Sequence, residues 1–308
     1  MDSNEGVIYI GQSTLIGLQS DASVLKLKPT QIRSSMSGQY LSRFKGRGME
    51  FDESRPYQPG DDIRNMDWRV TARTNKAHSK VFREERERPV LLWVDFRPSM
   101  FFATRVCFKS VLAAKLAALL SWKATQQGDR LGALLFCESR HLELRPGRGK
   151  TAVLRLIKQL SEFSHRINGN GGEKKQDERH ALNRLVQVTR PGSLIYLISD
   201  FRHMTEQLES TLSRLSAHNE VVLLHVHDPL EAALPGAGYY RVTDGQIEAA
   251  INASDRQVKQ VYHQRFEEQQ QLLMKLCQKY RATYRAASTT STPLEILRQS
   301  SKPYRGAA

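Results

Sequence analysis

The fold is decided by one stretch of the sequence, Pro89-Val90-Leu91-Leu92-Trp93-Val94-Asp95-Phe96-Arg97-Pro98-Ser99-Met100. Its first half is a continuous apolar run of strand length, which is typical of a central parallel strand that is buried on both faces of a sheet. The run ends in Asp95, and a turn that contains proline leads on to Ser99. Open α/β sheets bind ligands just outside the carboxyl ends of their strands, so Asp95 and Ser99 are candidate ligand-binding residues. The alternative is that Asp95 caps the following helix and Ser99 only fills the turn.

Strand-like and helix-like segments alternate from residue 89 onward. The predicted strands are 89–95, 130–137, 193–200 and 220–227, with an edge strand or hairpin arm at 141–144, and the predicted helices are 102–127, 151–163, 177–189, 204–217 and 254–280. Loops are expected at 168–172 and 244–245. This alternation predicts an α/β fold with a doubly wound, mostly parallel sheet. We place that domain at residues 87–308, after an N-terminal arm and a small β-rich subdomain of short strands and loops at residues 1–86.

Composition indicates a soluble globular protein, with 40% hydrophobic and 25% charged residues in a chain of 308. The most apolar helical stretch, 106–122, is interrupted by Lys109 and Lys115, and is too short and too charged to span a bilayer unaided. No signal peptide is evident, and we expect a cytoplasmic protein. The three cysteines lie far apart in the sequence, which favours reduced thiols over disulfides or a zinc site.

The net charge of +14 calls for an explanation. Nucleic acid, the anionic face of a membrane and a large acidic protein partner would each be attracted by it, and a solvated basic surface would need no partner. The aromatic residues do not alternate with the basic ones, so the signal for nucleic-acid binding is weak. Peripheral membrane contact and an acidic partner both stay open.

A second apolar strand also ends in an aspartate, Asp200. Parallel neighbours would bring Asp95 and Asp200 to the same edge of the sheet, where two carboxylates and the Ser99 hydroxyl would suit Mg²⁺. Thr151, which follows the turn 147–150, could supply a second hydroxyl. The run Gly149-Lys150-Thr151 is not a phosphate-binding loop, because Leu144 stands where that motif requires its first glycine.

The most distinctive segment is Arg55–Arg73, which combines a Pro59-Gly60 turn with closely spaced arginines and aspartates. Its polar residues predict a salt-bridged network around the turn, with Trp68 buried as an apolar anchor against the neighbouring domain. The alternatives are a catalytic site and an exposed docking surface.

This segment and the strand that ends at Asp95 together resemble bacterial domain-of-unknown-function family 58, over roughly residues 35–230. The family carries an Arg-x-Tyr-x-x-Gly-Asp-Asp-x-Arg-x-x-Asp-Trp signature before a von Willebrand factor A-like domain. The residues that match the signature and its end are Arg55, Tyr57, Gly60, Asp61, Asp62, Arg64, Asp67, Trp68 and Arg73.

The resemblance implies a Rossmann-like sheet with a metal-ion-dependent adhesion site, built on Asp-x-Ser-x-Ser and a distant Thr and Asp. Asp95 and Ser99 match the ends of that motif, Thr151 and Asp200 match the distant residues, and Arg97 replaces the expected middle serine. Two states stay open at this point. Either Mg²⁺ occupies the site, or Arg97 forms an ion pair with Asp95 or Asp200 and leaves it free of metal.

The resemblance also implies a function. Family members often accompany MoxR-type AAA+ ATPases, which implies a binding module, rather than an enzyme, that acts as an adaptor in the maturation or remodelling of protein complexes. Other proteins with von Willebrand factor A domains are further expected partners. The alternatives are a metal-dependent hydrolase and a basic nucleic-acid-associated protein.

Overall fold

The computed structural model describes residues 4–25, 49–84, 88–138, 140–165, 178–203, 205–236, 238–243 and 248–298. The strands are β1 (Met49–Pro56), β2 (His78–Glu84), β3 (Pro89–Asp95), β4 (Arg130–Phe136), β5 (His141–Gly147), β6 (Leu194–Ser199), β7 (Glu220–His227), β8 (Tyr239–Thr243), β9 (Glu248–Asn252) and β10 (Thr283–Ser288). The helices are α1 (Gln12–Gly17), α2 (Gln19–Val24), α3 (Trp68–Thr74), α4 (Lys109–Gln126), α5 (Gly149–Ser164), α6 (Glu178–Val188), α7 (Thr205–Leu215), α8 (Pro229–Ala232), α9 (Arg256–Lys279) and α10 (Pro293–Arg298). The loops expected at 168–172 and 244–245 lie outside the described residues.

The predicted mostly parallel sheet is confirmed. Six strands lie in the order β10-β7-β6-β3-β4-β5, and each neighbouring pair is parallel except β4 and β5. Strand β5 is the antiparallel edge strand that the alternating run 141–144 predicts. Because β3 and β6 are parallel neighbours, with Val94 beside Ile198, their carboxyl ends lie at the same edge of the sheet.

Helices cover both faces of the sheet. Val90, Leu92 and Val94 of β3 pack in one core with α4 and α5, whereas Leu91 and Trp93 pack in a second core with α6, α7 and α9. Successive side chains of a strand point to opposite faces, so the continuous apolar run of β3 supplies both cores at once. None of the helices in these described ranges has the length and apolar character of a membrane span.

Helix α4 begins at Lys109, seven residues after its predicted start at 102. The Thr104 backbone N–H and hydroxyl both donate to Asp228, at 3.1 and 2.6 Å, and hold the preceding segment in a non-helical path. Residues 102–108 are apolar in part but form a loop rather than a helix. Hydrophobicity alone therefore does not locate the first residue of α4.

The chain forms two compact units, and its N-terminal residues do not belong to the same unit as the segment that follows them. Residues 4–25 belong to the same compact unit as residues 88–298, and residues 49–84 belong to a second unit. Ile10 and Leu15 are fully buried in the core, and the Trp122 indole N–H donates to the Leu15 carbonyl at 3.1 Å. The N-terminal segment is therefore an integral layer over α4 and α5, because Ile10, Leu15, Ala22 and Leu25 are buried in the same core as those helices.

The second unit contains an antiparallel pair, β1 and β2, in which Pro56 lies beside His78. The short helix α3 lies between these strands in the sequence, and Asp67 caps its first turn. This observation agrees with the expected small β-rich segment, over a shorter range of residues.

Gly132 of β4 is held at a close approach between strands. A Cβ atom there would lie 2.7 Å from a Leu91 methyl carbon and 3.1 Å from the Leu144 carbonyl oxygen. We expect Gly132→Ala to lower the free energy of unfolding by about 1–3 kcal/mol, because backbone must move to admit the methyl group. Urea denaturation measures the change. Gly17→Ala, where an added Cβ meets nothing within 4 Å, is the control; equal unfolding midpoints for the two variants would contradict the close approach.

Candidate functional site

Asp95 and Asp200 converge at the carboxyl edge of the sheet, as predicted. Asp95 is the last residue of β3, and Asp200 directly follows β6. One nitrogen of Arg97, Nη2, lies 2.7 Å from Asp95 Oδ2 and 3.5 Å from Asp200 Oδ1. Both carboxylates are therefore within reach of one cationic group.

Arg97 occupies the space beside Asp95. Its Nε and Nη2 atoms donate to Asp95 Oδ2 at 3.0 and 2.7 Å, its backbone N–H donates to Oδ1 at 2.8 Å, and its Nη1 donates to the Arg202 carbonyl at 3.3 Å. The Ser199 hydroxyl also donates to Asp95 Oδ2, at 2.6 Å. Such charge-assisted, forked hydrogen bonds are among the stronger ones in proteins. The structure thus shows the ion pair that was the alternative to a bound metal.

Lys109 is a second buried cation that sequence reasoning did not identify as a site residue. Its side chain is fully buried, and Nζ lies 2.9 Å from Asp200 Oδ2 and 2.6 Å from Glu231 Oε1. The available signal was a lysine within the most apolar helical stretch of the chain. A buried ammonium requires paired carboxylates, so that lysine could have been assigned a buried acidic partner.

Glu231 connects the buried pairs to the surface. Its Oε1 atom also accepts a hydrogen bond from Arg202 Nη2 at 2.8 Å, and its Oε2 atom accepts one from the Asp228 backbone N–H at 2.9 Å. The Arg202 side chain is 45% exposed. Three carboxylates and three cations therefore form one ion network, which consists of Asp95, Arg97, Lys109, Asp200, Arg202 and Glu231.

The two aspartates of this ion network differ electrostatically. Burial raises the pKa of Asp95, and the ion pair with Arg97 opposes that shift. Burial also disfavours the charge on Asp200, but Lys109 and Arg97 together outweigh it and hold the pKa of Asp200 well below its usual range. The difference arises because Asp200 has two close cations where Asp95 has one. Asp200 is therefore the carboxylate that the buried cations keep ionised.

Ser99 lies beside the ion network without joining it. Its hydroxyl is buried and close enough to Asp200 to contribute to the low pKa of that carboxyl, yet it has no hydrogen-bond partner of good geometry among the described residues. Within the same ranges, no group of three or more His, Cys, Asp or Glu residues could hold a metal ion.

The structure does not bring Thr151 to this site. Strand β5 runs antiparallel to β4 and begins where His141 lies beside Phe136. Asp95 also lies beside Phe136, so β5 starts near the site and runs away from it. Helix α5, which carries Thr151, therefore begins at the amino ends of β3 and β4, opposite the ends that carry the site. The expectation that Thr151 adds a ligand overlooked this reversal of strand direction.

The aspartates of the signature segment mainly accept hydrogen bonds from backbone N–H groups. Asp61 accepts from Gln58 N–H at 3.0 Å and pairs with Arg55 at 2.7 Å, and these bonds lower the pKa of its carboxyl. Asp62 accepts from Arg64 N–H at 3.0 Å. Gly60, at φ +107°, permits the tight turn from Gln58 to Asp61.

Asp67 is the buried aspartate of this segment. It accepts from the Ser54 hydroxyl at 2.7 Å and from Val70 N–H at 3.2 Å, and the hydrogen bond from Ser54 lowers its pKa. Backbone N–H groups at turns and helix starts commonly donate to Asp side chains. For Asp62 and Asp67 they replace the arginines that were expected as partners.

Two expectations about the signature segment need correction. Trp68, the first residue of α3, is 65% exposed rather than buried. The expected arginine network is reduced to the Arg55–Asp61 pair: within the described residues, Arg64, Arg69 and Arg73 make no ion pair. Tyr57 is held through its backbone N–H, which donates to Ala77 O at 2.8 Å.

The chain matches a known protein family. The family described as "Protein of unknown function DUF58" matches residues 53–272 of this chain, which include both the signature segment and every residue of the ion network.

The chain is also similar to individual proteins of mycobacteria. Uncharacterized protein Rv1480 of Mycobacterium tuberculosis and uncharacterized protein Mb1516 of Mycobacterium bovis are each 33% identical to this chain over 214 residues, which is 68% of this chain. The match spans 65% of the length of these relatives.

Two solved structures are similar at a lower level. The conserved hypothetical protein BatB of Bacteroides thetaiotaomicron is 16% identical, and the similarity covers 62% of this chain and 99% of BatB with a TM-score of 0.32. An uncharacterized membrane spanning protein of Vibrio fischeri is 14% identical, with coverage of 68% and 94% and a TM-score of 0.24.

Removing the buried ammonium tests the importance of the ion network. We expect Lys109→Met to lower the free energy of unfolding by about 3–5 kcal/mol, because Asp200 and Glu231 lose their shared buried counter-ion. Urea denaturation at neutral pH measures the loss. Lys115→Met on the same helix is the control, since Lys115 Nζ donates to the Gly6 carbonyl at 3.3 Å and makes no ion pair with a described residue. Similar losses in both variants would show that the ion network adds nothing beyond the volume of a lysine.

The signature segment yields a second contrast. We expect Asp67→Ala to lower the melting temperature by several degrees, because the Ser54 hydroxyl and the Val70 N–H lose their acceptor. Trp68→Ala should leave the melting temperature nearly unchanged, since an exposed side chain contributes little to packing. Scanning calorimetry distinguishes the two. A large decrease for Trp68→Ala would restore Trp68 as the anchor of the segment.

Proposed function

The chain belongs to the family of unknown function DUF58, and we propose that it is a non-catalytic protein-interaction module whose von Willebrand factor A-like site works without a metal ion. The single observation that carries this proposal is the position of Arg97 and Lys109, whose cationic groups lie beside both aspartates. The protein's own side chains supply the positive charge that the two carboxylates would otherwise take from Mg²⁺.

The donor set does not fit a divalent cation. Both oxygens of Asp95 already accept from Arg97, and Asp200 Oδ2 accepts from Lys109. A metal ion at this position would meet two buried cations and would have to displace their hydrogen bonds, which strands charges at a high cost. Thr151, one of the hydroxyl ligands expected from the resemblance, follows β5 at the amino end of β4 and so lies away from the two aspartates.

The same arrangement argues for binding rather than catalysis. A nucleophile needs a base within hydrogen-bond distance. Two buried hydroxyls lie in this cluster. That of Ser99 has no such partner among the described residues, and that of Ser199 donates to Asp95, whose carboxylate is already paired with Arg97. Lys109 and Arg97 hold the pKa of Asp200 well below its usual range, so this carboxylate is poorly suited to accept a proton in a reaction.

The expected partners follow from the family resemblance. We propose a MoxR-type AAA+ ATPase as the partner, with the chain as its adaptor in the maturation or remodelling of protein complexes, and other proteins with von Willebrand factor A domains as further members of the assembly. Support for this comes from the signature segment and its family.

Calorimetric titration with MgCl₂ tests the metal-free site. We expect no Mg²⁺ binding by the wild-type chain and tighter binding by Arg97→Ser, because that change removes a guanidinium and restores a hydroxyl. Arg155→Ser, at an exposed arginine on α5, is the control and should behave as the wild type does. Tight Mg²⁺ binding by the wild type that Arg97→Ser does not improve would overturn the proposal.

Capture of the partner tests the adaptor role separately. The intact chain is used to retain a MoxR-type ATPase from the same organism, with and without EDTA and in the absence of nucleotide. Retention that is insensitive to EDTA is expected. Loss of the partner on chelation, or failure to retain it, would contradict the corresponding part of the proposal.

A further inference from the structure

A pocket of about 420 Å³ opens beside the ion network, between the carboxyl ends of β6 and β7 and the long helix α9. We propose that it is a docking site for an acidic segment of a partner protein, in which Arg265 and Arg202 receive a carboxylate and the aromatic wall receives an adjacent apolar side chain. This inference rests on the proposed role as an interaction module and names the surface that performs it.

The wall of the pocket is aromatic and uncharged. Tyr262 and Phe266 of α9 lie opposite His225 of β7, and the His225 and Phe266 rings stack with centroids 6.0 Å apart. His225 Nδ1 is 2.8 Å from the Tyr284 hydroxyl. Burial, together with the nearby His227, lowers the pKa of His225 to about 3, so its ring is neutral at pH 7. Such a wall favours an apolar side chain.

Four charged residues line the pocket, Asp200, Glu231, Arg202 and Arg265. The two carboxylates are buried, whereas the two guanidinium groups are exposed. Asp200 and Glu231 are already satisfied by Lys109 and by Arg202. Arg265 is exposed and makes no ion pair or hydrogen bond with a described residue, and nearly half of the Arg202 side chain is exposed. Guanidinium groups bind carboxylates through paired hydrogen bonds, so the exposed surface of Arg265 and Arg202 favours an anion.

The loop that carries Arg202 has an unusual backbone. The residues on either side of it, Phe201 and His203, have positive φ angles of 52° and 59°. Bulky residues rarely adopt this conformation, and strain of this kind concentrates at binding sites. Gln269 of α9 donates to the Asp200 carbonyl at 3.1 Å and so fixes the strained loop against the helix. The loop is therefore held in the form that presents Arg202 to the pocket.

The apolar surface continues along α9 from Leu272, which lines the pocket, to Val261 and Val258 beyond it. Val258, Val261 and Leu272 are 36%, 49% and 38% exposed. Their spacing places them on the same face of the helix as Arg265, because residues four and seven apart align along a helix. A free carboxylate would use only the pocket, whereas a polypeptide would also cover this strip. We therefore assign the site to a protein segment.

Phage-displayed random peptides panned on the intact chain provide the test. We expect the recovered peptides to carry Asp or Glu beside an aliphatic or aromatic residue. Synthetic copies should lose affinity by at least about tenfold when that acid is replaced by its amide, and by a similar factor on Arg265→Gln. Arg256→Gln is the matched control, because Arg256 lies about two and a half turns away on the opposite face of α9 and should leave the affinity unchanged.

Several results would overturn this inference. These are the recovery of no acidic peptide, equal binding to the Arg265→Gln and Arg256→Gln variants, complete competition by sodium acetate, and self-association that Arg265→Gln abolishes, which would make a second copy the occupant. Failure of the proposed metal-free site would appear instead as Mg²⁺ binding by the wild-type chain. That outcome is independent of the comparison between the two arginine variants.

Discussion

The buried ammonium of Lys109 is the interaction on which the rest of the site depends. A lysine with no exposed surface loses several kcal/mol of hydration, and only close carboxylates can compensate for that loss. Asp200 and Glu231 do so from the end of β6 and from α8, which fixes the first residue of α4 against two other elements. Arg97, which is held by Asp95, also reaches Asp200 at 3.5 Å, so the ends of β3 and β6 are joined to α4 and α8 through one ion network.

A site organised by tethered cations differs from one organised by a metal ion. A metal exchanges with solvent and can be removed, whereas Arg97 and Lys109 are part of the chain and are present whenever it is folded. The interior is also linked to the surface, because Glu231 contacts Lys109 on one side and the half-exposed Arg202 on the other. A ligand that binds Arg202 would therefore act directly on a carboxylate that holds the buried lysine.

Sequence reasoning predicted the sheet and the convergence of Asp95 and Asp200. Apolar runs of strand length can be recognised from neighbouring residues, and their alternation with helical segments indicates parallel strands. The partners of Lys109 could not be predicted in this way, since Glu231 lies 122 residues further along the chain and its pairing depends on tertiary structure. Thr151 was misplaced because the direction of β5 is set by pairing with β4. Trp68 was misplaced because aromatic character indicates burial only on average.

The division of the chain into two units has a consequence for biosynthesis. The sheet unit takes its first residues from 4–25 and the remainder from 88–298, so the other unit is an insertion in the sequence of the first. The Ile10 backbone N–H donates to the Ser164 hydroxyl, 154 residues later in the chain. Ile10 therefore cannot be buried until α5 has left the ribosome. The strand pair β1–β2 joins only residues 49–56 to residues 78–84, and contacts over such short separations form quickly. The apolar residues of the amino-terminal layer stay uncovered until α4 and α5 have been synthesised, and exposed apolar surface of this kind favours aggregation.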